Sequence, residues 1–363
     1  MMKERNIDAL FLSSKENVFY FTGYRKTQIG KSRGRYLILP NVGSPTLIIP
    51  QTESSKAEET SWLYPNGVTT CDSKNVNKCV VEIIKKHRAQ EKSVGIEWNG
   101  LWAPMRTEMS ISDYEEIKNK LPKAKLVDVG ELLWKMRMIK STREIEYLKK
   151  ACQITFESLK VALESIHEGV TEQQLLKIFC LEMIKRGGFD DPLNAFCHIK
   201  SGLERSRIYD PRPMDKKVQR GDIVQFDCGA IIKGYFADMI RQCCVRPSKK
   251  QQEMFNVINK AFEKAYEMLE PGTQIKEMVS TTVNVIKKAG YEPRLGIGHG
   301  IGLDIHEPPI FRLTNESFIQ EGMVIAIEPA FYTNEGGFTQ EDNILITKKG
   351  PLNLTPIEKK LQW

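Results

Sequence analysis

Apolar and polar residues alternate along this chain in two styles, and the change between them falls near residue 140. Over roughly the first 135 residues, short apolar runs at 8–12, 18–21, 36–39 and 46–49 have strand-like composition. Most are closed by nearby Gly, Pro or Ser. Residues 53–63 and 79–89 instead repeat apolar positions at helical spacing. The pattern predicts an α/β domain over residues 1–135, which is an ordinary domain size.

Past the break the order changes. Ser141-Thr142-Arg143-Glu144 fits a capping box, with Ser141 as N-cap and Glu144 reaching back, and predicts a long amphipathic helix from Glu144 to about residue 167. A second helix is predicted from Thr171, with Glu172 in its first turn, to Gly187-Gly188. From Asn194 onward strand runs dominate, interrupted by helices at about 248–269 and 274–289. Helices then strands, twice over, predict an α+β domain around an antiparallel sheet across residues 140–363.

Five side chains in this second part stand out: Asp227 in QFDCGA, Asp238 in GYFADMIR, His299 in GIGHGIG, Glu328 in AIEPAF and Glu341 in TQEDNILIT. Asp227 and Asp238 flank a turn centred on Ile232-Lys233, while Glu328 and Glu341 flank one centred on Asn334-Glu335, just ahead of Gly336-Gly337. Residues directly opposed in an antiparallel pair lie about 4.5–5.5 Å apart at Cβ. Two carboxylates that close repel unless a cation sits between them, and this sequence sets up the situation twice. Four carboxylates balance two divalent cations and leave neutral His299 as a fifth ligand. An oxygen-rich set with one imidazole and no thiolate suits catalytic Mn²⁺, Co²⁺, Fe²⁺ or Zn²⁺. A pair of such ions about 3.5–4 Å apart activates water and polarises a carbonyl. The Gly-rich run around His299 lacks the strand–loop–helix setting of a dinucleotide site. His306, in LDIHEPP, reads either as a structural histidine before a Pro-Pro turn or as a donor to an oxyanion or substrate carboxylate.

Composition narrows the field without redirecting it. The 363 residues are 41% hydrophobic and 27% charged, with 53 Lys and Arg against 46 Asp and Glu for a net charge of +7. The basic clusters are short, such as Lys85-Lys86-His87-Arg88 and Lys216-Lys217, so no nucleic-acid partner is expected. No apolar run approaches the ~20 residues of a membrane span, and the first residues lack a signal-peptide pattern. The eight cysteines contain no CxxC pair and read as reduced thiols of a cytosolic protein. Cys228 follows Asp227 directly, so in a strand it faces away from any site that Asp227 enters.

At these five segments the chain resembles the creatinase/prolidase/methionine-aminopeptidase superfamily of pita-bread metallohydrolases, and it looks nearest to the prolidase (Xaa-Pro dipeptidase) and aminopeptidase P branches. Ile7-Asp8-Ala9-Leu10 and Glu16 to Gly23 are similar to that group's N-terminal domain, and Met138 to Glu146 to its linker helix. The resemblance implies a pita-bread catalytic domain, a homodimer and a small peptide or amide substrate. It assigns Asp227 and His299 to separate metals, Asp238 and Glu341 to bridging positions, and Glu328 to ligation and proton handling. It also gives His306 a role at the tetrahedral intermediate and places Arg241 in the substrate region.

Three positions depart from the family pattern. Tyr209 stands where a pocket histidine is usual, Ile310 where prolidases often place a carboxylate-binding arginine, and Thr339 where Arg-Ile-Glu is common. Tyr209 can donate a hydrogen bond but cannot change charge near neutral pH. Losing an arginine removes a bidentate grip on a carboxylate. These changes leave room for a relative acting on a small non-peptide, such as an ectoine-type ring hydrolase. A non-catalytic binding protein would not need both opposed carboxylate pairs.

Overall fold

The computed structural model describes residues 1–25, 34–72, 74–98, 109–188, 196–208 and 211–363. The chain divides into two compact units, Met1–Met136 and Arg137–Trp363.

The first unit runs β1 (Ala9–Leu12), α1 (Lys15–Thr22), β2 (Tyr36–Pro40), β3 (Thr46–Pro50), α2 (Ser54–Thr60), β4 (Val68–Cys71), α3 (Val76–Lys86), β5 (Ser93–Ile96), α4 (Ile111–Lys120), β6 (Lys125–Asp128) and α5 (Gly130–Met138). Its mixed sheet has the order β4-β3-β2-β1-β5-β6. Successive residues of β1 enter different cores. Leu10 and Leu12 join Leu37, Leu47 and Trp134, whereas Phe11 joins Ile38, Ile48, Val80 and Ile84. A sheet covered on both faces explains why its strands read as continuous apolar runs.

One sequence expectation fails here. Residues 18–21, apolar and aromatic enough for a strand, lie inside α1. Ser14 caps the helix by accepting from the Asn17 backbone N–H, and Gly23 ends it at φ 71°. Two correctly placed caps override a β-prone composition. The cap itself is anchored by buried Glu97, which accepts from the Ser13 and Ser14 backbone N–H groups (2.6 and 2.8 Å), the Ser14 hydroxyl and the Asn17 amide.

The second unit begins with α6 (Thr142–Glu164) and α7 (Glu172–Lys185), followed by β7 (Phe196–Ser201), β8 (Ile223–Gly229), β9 (Ile231–Ile232), β10 (Tyr235–Phe236) and β11 (Met239–Cys244). Helices α8 (Lys249–Glu267) and α9 (Ile275–Lys288) come next. The unit closes with β12 (Gly296–Gly300), β13 (Glu307–Arg312), β14 (Val324–Ile327), β15 (Ala330–Thr333), β16 (Gly336–Thr339), β17 (Asp342–Thr347) and β18 (Gly350–Asn353). The capping box at Ser141 is formed in both directions. The strands build two antiparallel sheets, β11-β8-β7 and β13-β12-β14-β17-β18, with β9-β10 and β15-β16 as short hairpins. Phe262, Met278 and Val283 of α8 and α9 pack on Ile297, Ile325 and Ile344 of the larger sheet. The fold is the pita-bread architecture, with mixed helix and antiparallel sheet.

Replacing Glu97 by Ala strands several buried donors around the α1 cap. The expected loss is about 3 kcal/mol from the first unit, given about 1–3 kcal/mol per unsatisfied group. Urea unfolding followed by Trp fluorescence measures it, and an unchanged midpoint would show that Glu97 is not an anchor.

Candidate metal centre

The two carboxylate pairs are built differently. In the first, the hairpin turn is Lys233-Gly234, one residue later than expected, because Ile232 pairs with Tyr235. Both turn residues have positive φ, 50° and 83°. A two-residue turn of this kind requires that at both centres, which suits Gly234 and excludes β-branched Ile232. The shift puts Asp227 opposite Ile240 rather than Asp238. Asp238 therefore lies just before β11, outside the ladder. The Asn343 side chain takes the place of a strand partner: Asp238 N–H donates to its Oδ1 (2.9 Å) and its Nδ2 donates to the Asp238 carbonyl (2.7 Å).

In the second pair, β14 and β17 align Ile327 with Asp342, while β15 and β16 align Ala330 with Thr339. Glu328 and Glu341 face each other in the gap between these two ladders. The Glu341 backbone N–H reaches across to the Ile240 carbonyl at 3.2 Å, which joins the two sheets at the ligand positions.

His299 comes from β12 and completes the group. Its Nε2 lies 3.6 Å from Asp238 Oδ2, 3.8 Å from Glu328 Oε1 and 3.8 Å from Glu341 Oε1. Asp227, Asp238 and Glu341 also bring one oxygen each within 4.8 Å of one another. The His299 Nδ1 is 3.0 Å from the Gly300 carbonyl. Donation there places the proton on Nδ1 and turns the Nε2 lone pair toward the acids. Asp238 Oδ1, Glu341 Oε1 and His299 Nε2 are buried without a hydrogen-bond partner among the described residues. Buried polar atoms are seldom left so, and here three of them converge. The donor set fits divalent cations.

The electrostatics agree. Burial, then Asp227 and Glu328, push the Asp238 carboxyl well above its usual range. Burial, then Asp238, do the same to Glu341. Burial lowers the His299 imidazole to about 4, so it is neutral and available as a ligand at physiological pH. Glu328 behaves differently. Burial raises it too, but Arg294 and then His299 outweigh that and hold it below the usual range. Without cations, the site holds protons where metals belong.

Around this centre the other expected residues separate. His306 is exposed, with its ring 4.3 Å from that of His299 in edge-to-face contact. Arg241 does not face a substrate. Its side chain is 1% exposed and is paired with Asp342, and it donates to the carbonyls of Ile240, Glu341 and Ile357. Its place in β11 turns it into the sheet junction, behind the ligands. Tyr209 lies outside the described residues. Ile310 pairs with His299 across β12 and β13, and Thr339 is buried with an unpartnered hydroxyl. Cys228 packs in the interior, and all eight cysteines are free.

Several supporting residues escaped sequence reading. Arg294 Nη2 is 2.6 Å from Glu328 Oε2. Glu307 is buried between Arg137 and Lys140 and accepts from the Asp304 backbone, fixing the loop that carries His306. Buried Glu172 accepts from Ser201, Arg205 and the Met214 backbone, tying down both ends of the segment between them. None of these sits in a local pattern. The nearest signals were the Glu341-Asp342-Asn343 triplet and the Arg137–Lys140 stretch ahead of the capping box.

Comparison with known proteins gives a consistent result. The model described as metallopeptidase family M24 matches residues 146–348, and that of the creatinase/prolidase N-terminal domain matches residues 1–139. The Xaa-Pro dipeptidase of Pyrococcus furiosus is 33% identical over 99% of this chain and 97% of its own. That of Lactobacillus helveticus is 26% identical over 99% and 96%. Among solved structures, the prolidase from Pyrococcus horikoshii superposes with a TM-score of 0.82 at 32% identity, covering 99% of this chain and 97% of that one.

The pKa directions yield a pH test. Raised carboxyls make the folded, metal-free chain bind more protons than the unfolded chain, so their contribution is lost as pH rises toward the folded values. Lowered His299 and Glu328 act oppositely, but their effects are complete by about one pH unit above 6.5, the ordinary histidine value. Above that pH the raised carboxyls alone remain among these four. The melting temperature of chelator-treated protein should fall as pH rises above about 7.5, and divalent metal should remove the slope. A flat metal-free profile in calorimetry would contradict the assignment.

Proposed function

This chain belongs to metallopeptidase family M24, and we propose that it acts as an Xaa-Pro dipeptidase using two divalent ions. The convergence of three unpartnered buried ligand atoms, on Asp238, His299 and Glu341, carries the two-ion reading. The names and near-complete coverage of the relatives support the substrate. Asp227, Asp238, His299, Glu328 and Glu341 would hold the pair, with Mn²⁺, Co²⁺, Zn²⁺ and Fe²⁺ all chemically compatible. When bound, such a pair supplies Lewis acidity and a water acidic enough to attack a carbonyl at neutral pH.

The chain's own residues do the rest. Glu328, ionised and aimed by Arg294, takes a proton from the attacking water and delivers it to the leaving nitrogen. His306 stands at the exposed edge of the cluster, next to His299, and donates to the oxyanion as it forms. Glu307, locked between two cations, fixes the loop so that this donor is in place beforehand. Tyr209 would supply a second donor. Free thiols throughout fit a reducing cytosol, and the resemblance supports a homodimer.

A second reading draws on Ile310, an apolar residue that pairs with His299 across β12 and β13 and would wall that side. A small substrate without a free carboxylate, such as a cyclic amidine, would suit that wall.

Asp238→Ala and Glu341→Ala should each abolish stoichiometric uptake of two ions, measured by elemental analysis after dialysis. Uptake of fewer than two ions by the unaltered protein would refute the dinuclear reading. His306→Ala should lower kcat about 10²–10³-fold with a smaller change in KM, the usual cost of one oxyanion donor. Turnover of a panel of Xaa-Pro dipeptides, longer Xaa-Pro peptides and cyclic amidines decides the substrate. Activity confined to the amidines would replace the peptidase reading with the second one.

A further inference from the structure

We propose that Arg294 grips the free C-terminal carboxylate of the substrate and so restricts this enzyme to dipeptides; the idea rests on the dipeptidase reading above. Arg294 sits two residues before β12, and its own backbone is fixed. Its N–H donates to the Ala330 carbonyl at 2.8 Å, and Pro293 forms a bridge with Phe331. The side chain is held on one edge only. Nε donates to the Gly296 carbonyl at 3.0 Å, and Nη2 donates to the Glu328 carbonyl at 2.7 Å beside the Oε2 contact. Nη1 has no hydrogen bond among the described residues, and the side chain is 36% exposed. An arginine needed only to hold Glu328 could be sealed in, as Arg241 is at 1%. This one is part-exposed and keeps Nη1 uncommitted among the described residues.

Reach and charge point the same way. Glu328 spans from Arg294 to the ligand cluster, with Oε2 on the guanidinium and Oε1 3.8 Å from His299 Nε2. The guanidinium therefore stands one carboxylate's width from the place where a scissile carbonyl would be polarised. In a dipeptide the terminal carboxylate follows that carbonyl by a single residue, about 3.5 Å of chain. A third residue would carry it another ~3.5 Å, beyond the reach of a fixed arginine. Four carboxylates and two divalent cations cancel, so Arg294 adds the one uncompensated positive charge of the set. That favours an anionic substrate terminus. Tyr332, 44% exposed, is close enough to act on the Arg294 charge.

The experiment compares kcat/KM for alanyl-proline, alanyl-prolinamide and alanyl-prolyl-alanine in the metal-loaded protein, in its natural form and as Arg294→Met and Arg294→Lys. The natural form should prefer the free acid. Arg294→Met should reduce the acid-to-amide ratio roughly ten- to hundredfold, the worth of one charge-assisted hydrogen bond. Arg294→Lys should recover part of it. Any loss transmitted through Glu328 affects both substrates and cancels in the ratio, so an unchanged ratio in Arg294→Met overturns the proposal. If no peptide is cleaved at all, the dipeptidase reading fails separately. Calorimetric binding of proline against prolinamide then decides, with equal affinities for the two counting against Arg294.

Discussion

Forcing carboxylates together is the constraint on which the catalytic unit depends. Two like charges about 4 Å apart repel by roughly 4 kcal/mol at an effective dielectric of 20, and here four acids share one pocket. Something must hold the backbone still while they repel. Arg241 and Asn343 do so from behind. The guanidinium binds Asp342, the neighbour of Glu341, and gathers the carbonyls on either side, while the Asn343 amide replaces a missing strand around Asp238. Breaking a buried ion pair of this kind costs about 3–5 kcal/mol, comparable to the repulsion it opposes. The scaffold thus meets a charge conflict that metal then resolves.

Much of this was legible from residue order. Strand and helix positions in the second unit follow the apolar pattern closely, because long helices with capping boxes at Ser141, Thr171 and Ser248 announce their own ends. The two candidate carboxylate pairs were legible because each flanks a turn former. The exact facing of Asp227 was not, since one residue of turn placement moves the pairing by two. The α1 segment was misread because aromatic composition hid a Ser–Gly pair of caps. Arg294, Glu307 and Glu172 were illegible for a different reason. Each acts on a partner 29 or more residues away, and such a contact leaves no trace in local spacing.

Function divides along similar lines. Asp227 and His299 sit within strands, and Asp238, Glu328 and Glu341 directly beside strand ends, while buried Glu307 fastens the loop of His306 and buried Glu172 holds Ser201 and Met214. The candidate ligands therefore lie on or beside sheet elements, and His306 on a tethered loop.

The contacts of Arg241 with Thr355 and Ile357 reach further than packing. Those carbonyls lie more than a hundred residues after Asp227 and Asp238 in the chain. Until they arrive, half of the acid cluster exists without its brace and without Glu341. A growing chain can shape the helices early, but it cannot hold the ion pair until this late segment has closed over the sheet junction. The acid cluster and its brace are therefore complete only once this late segment is in place.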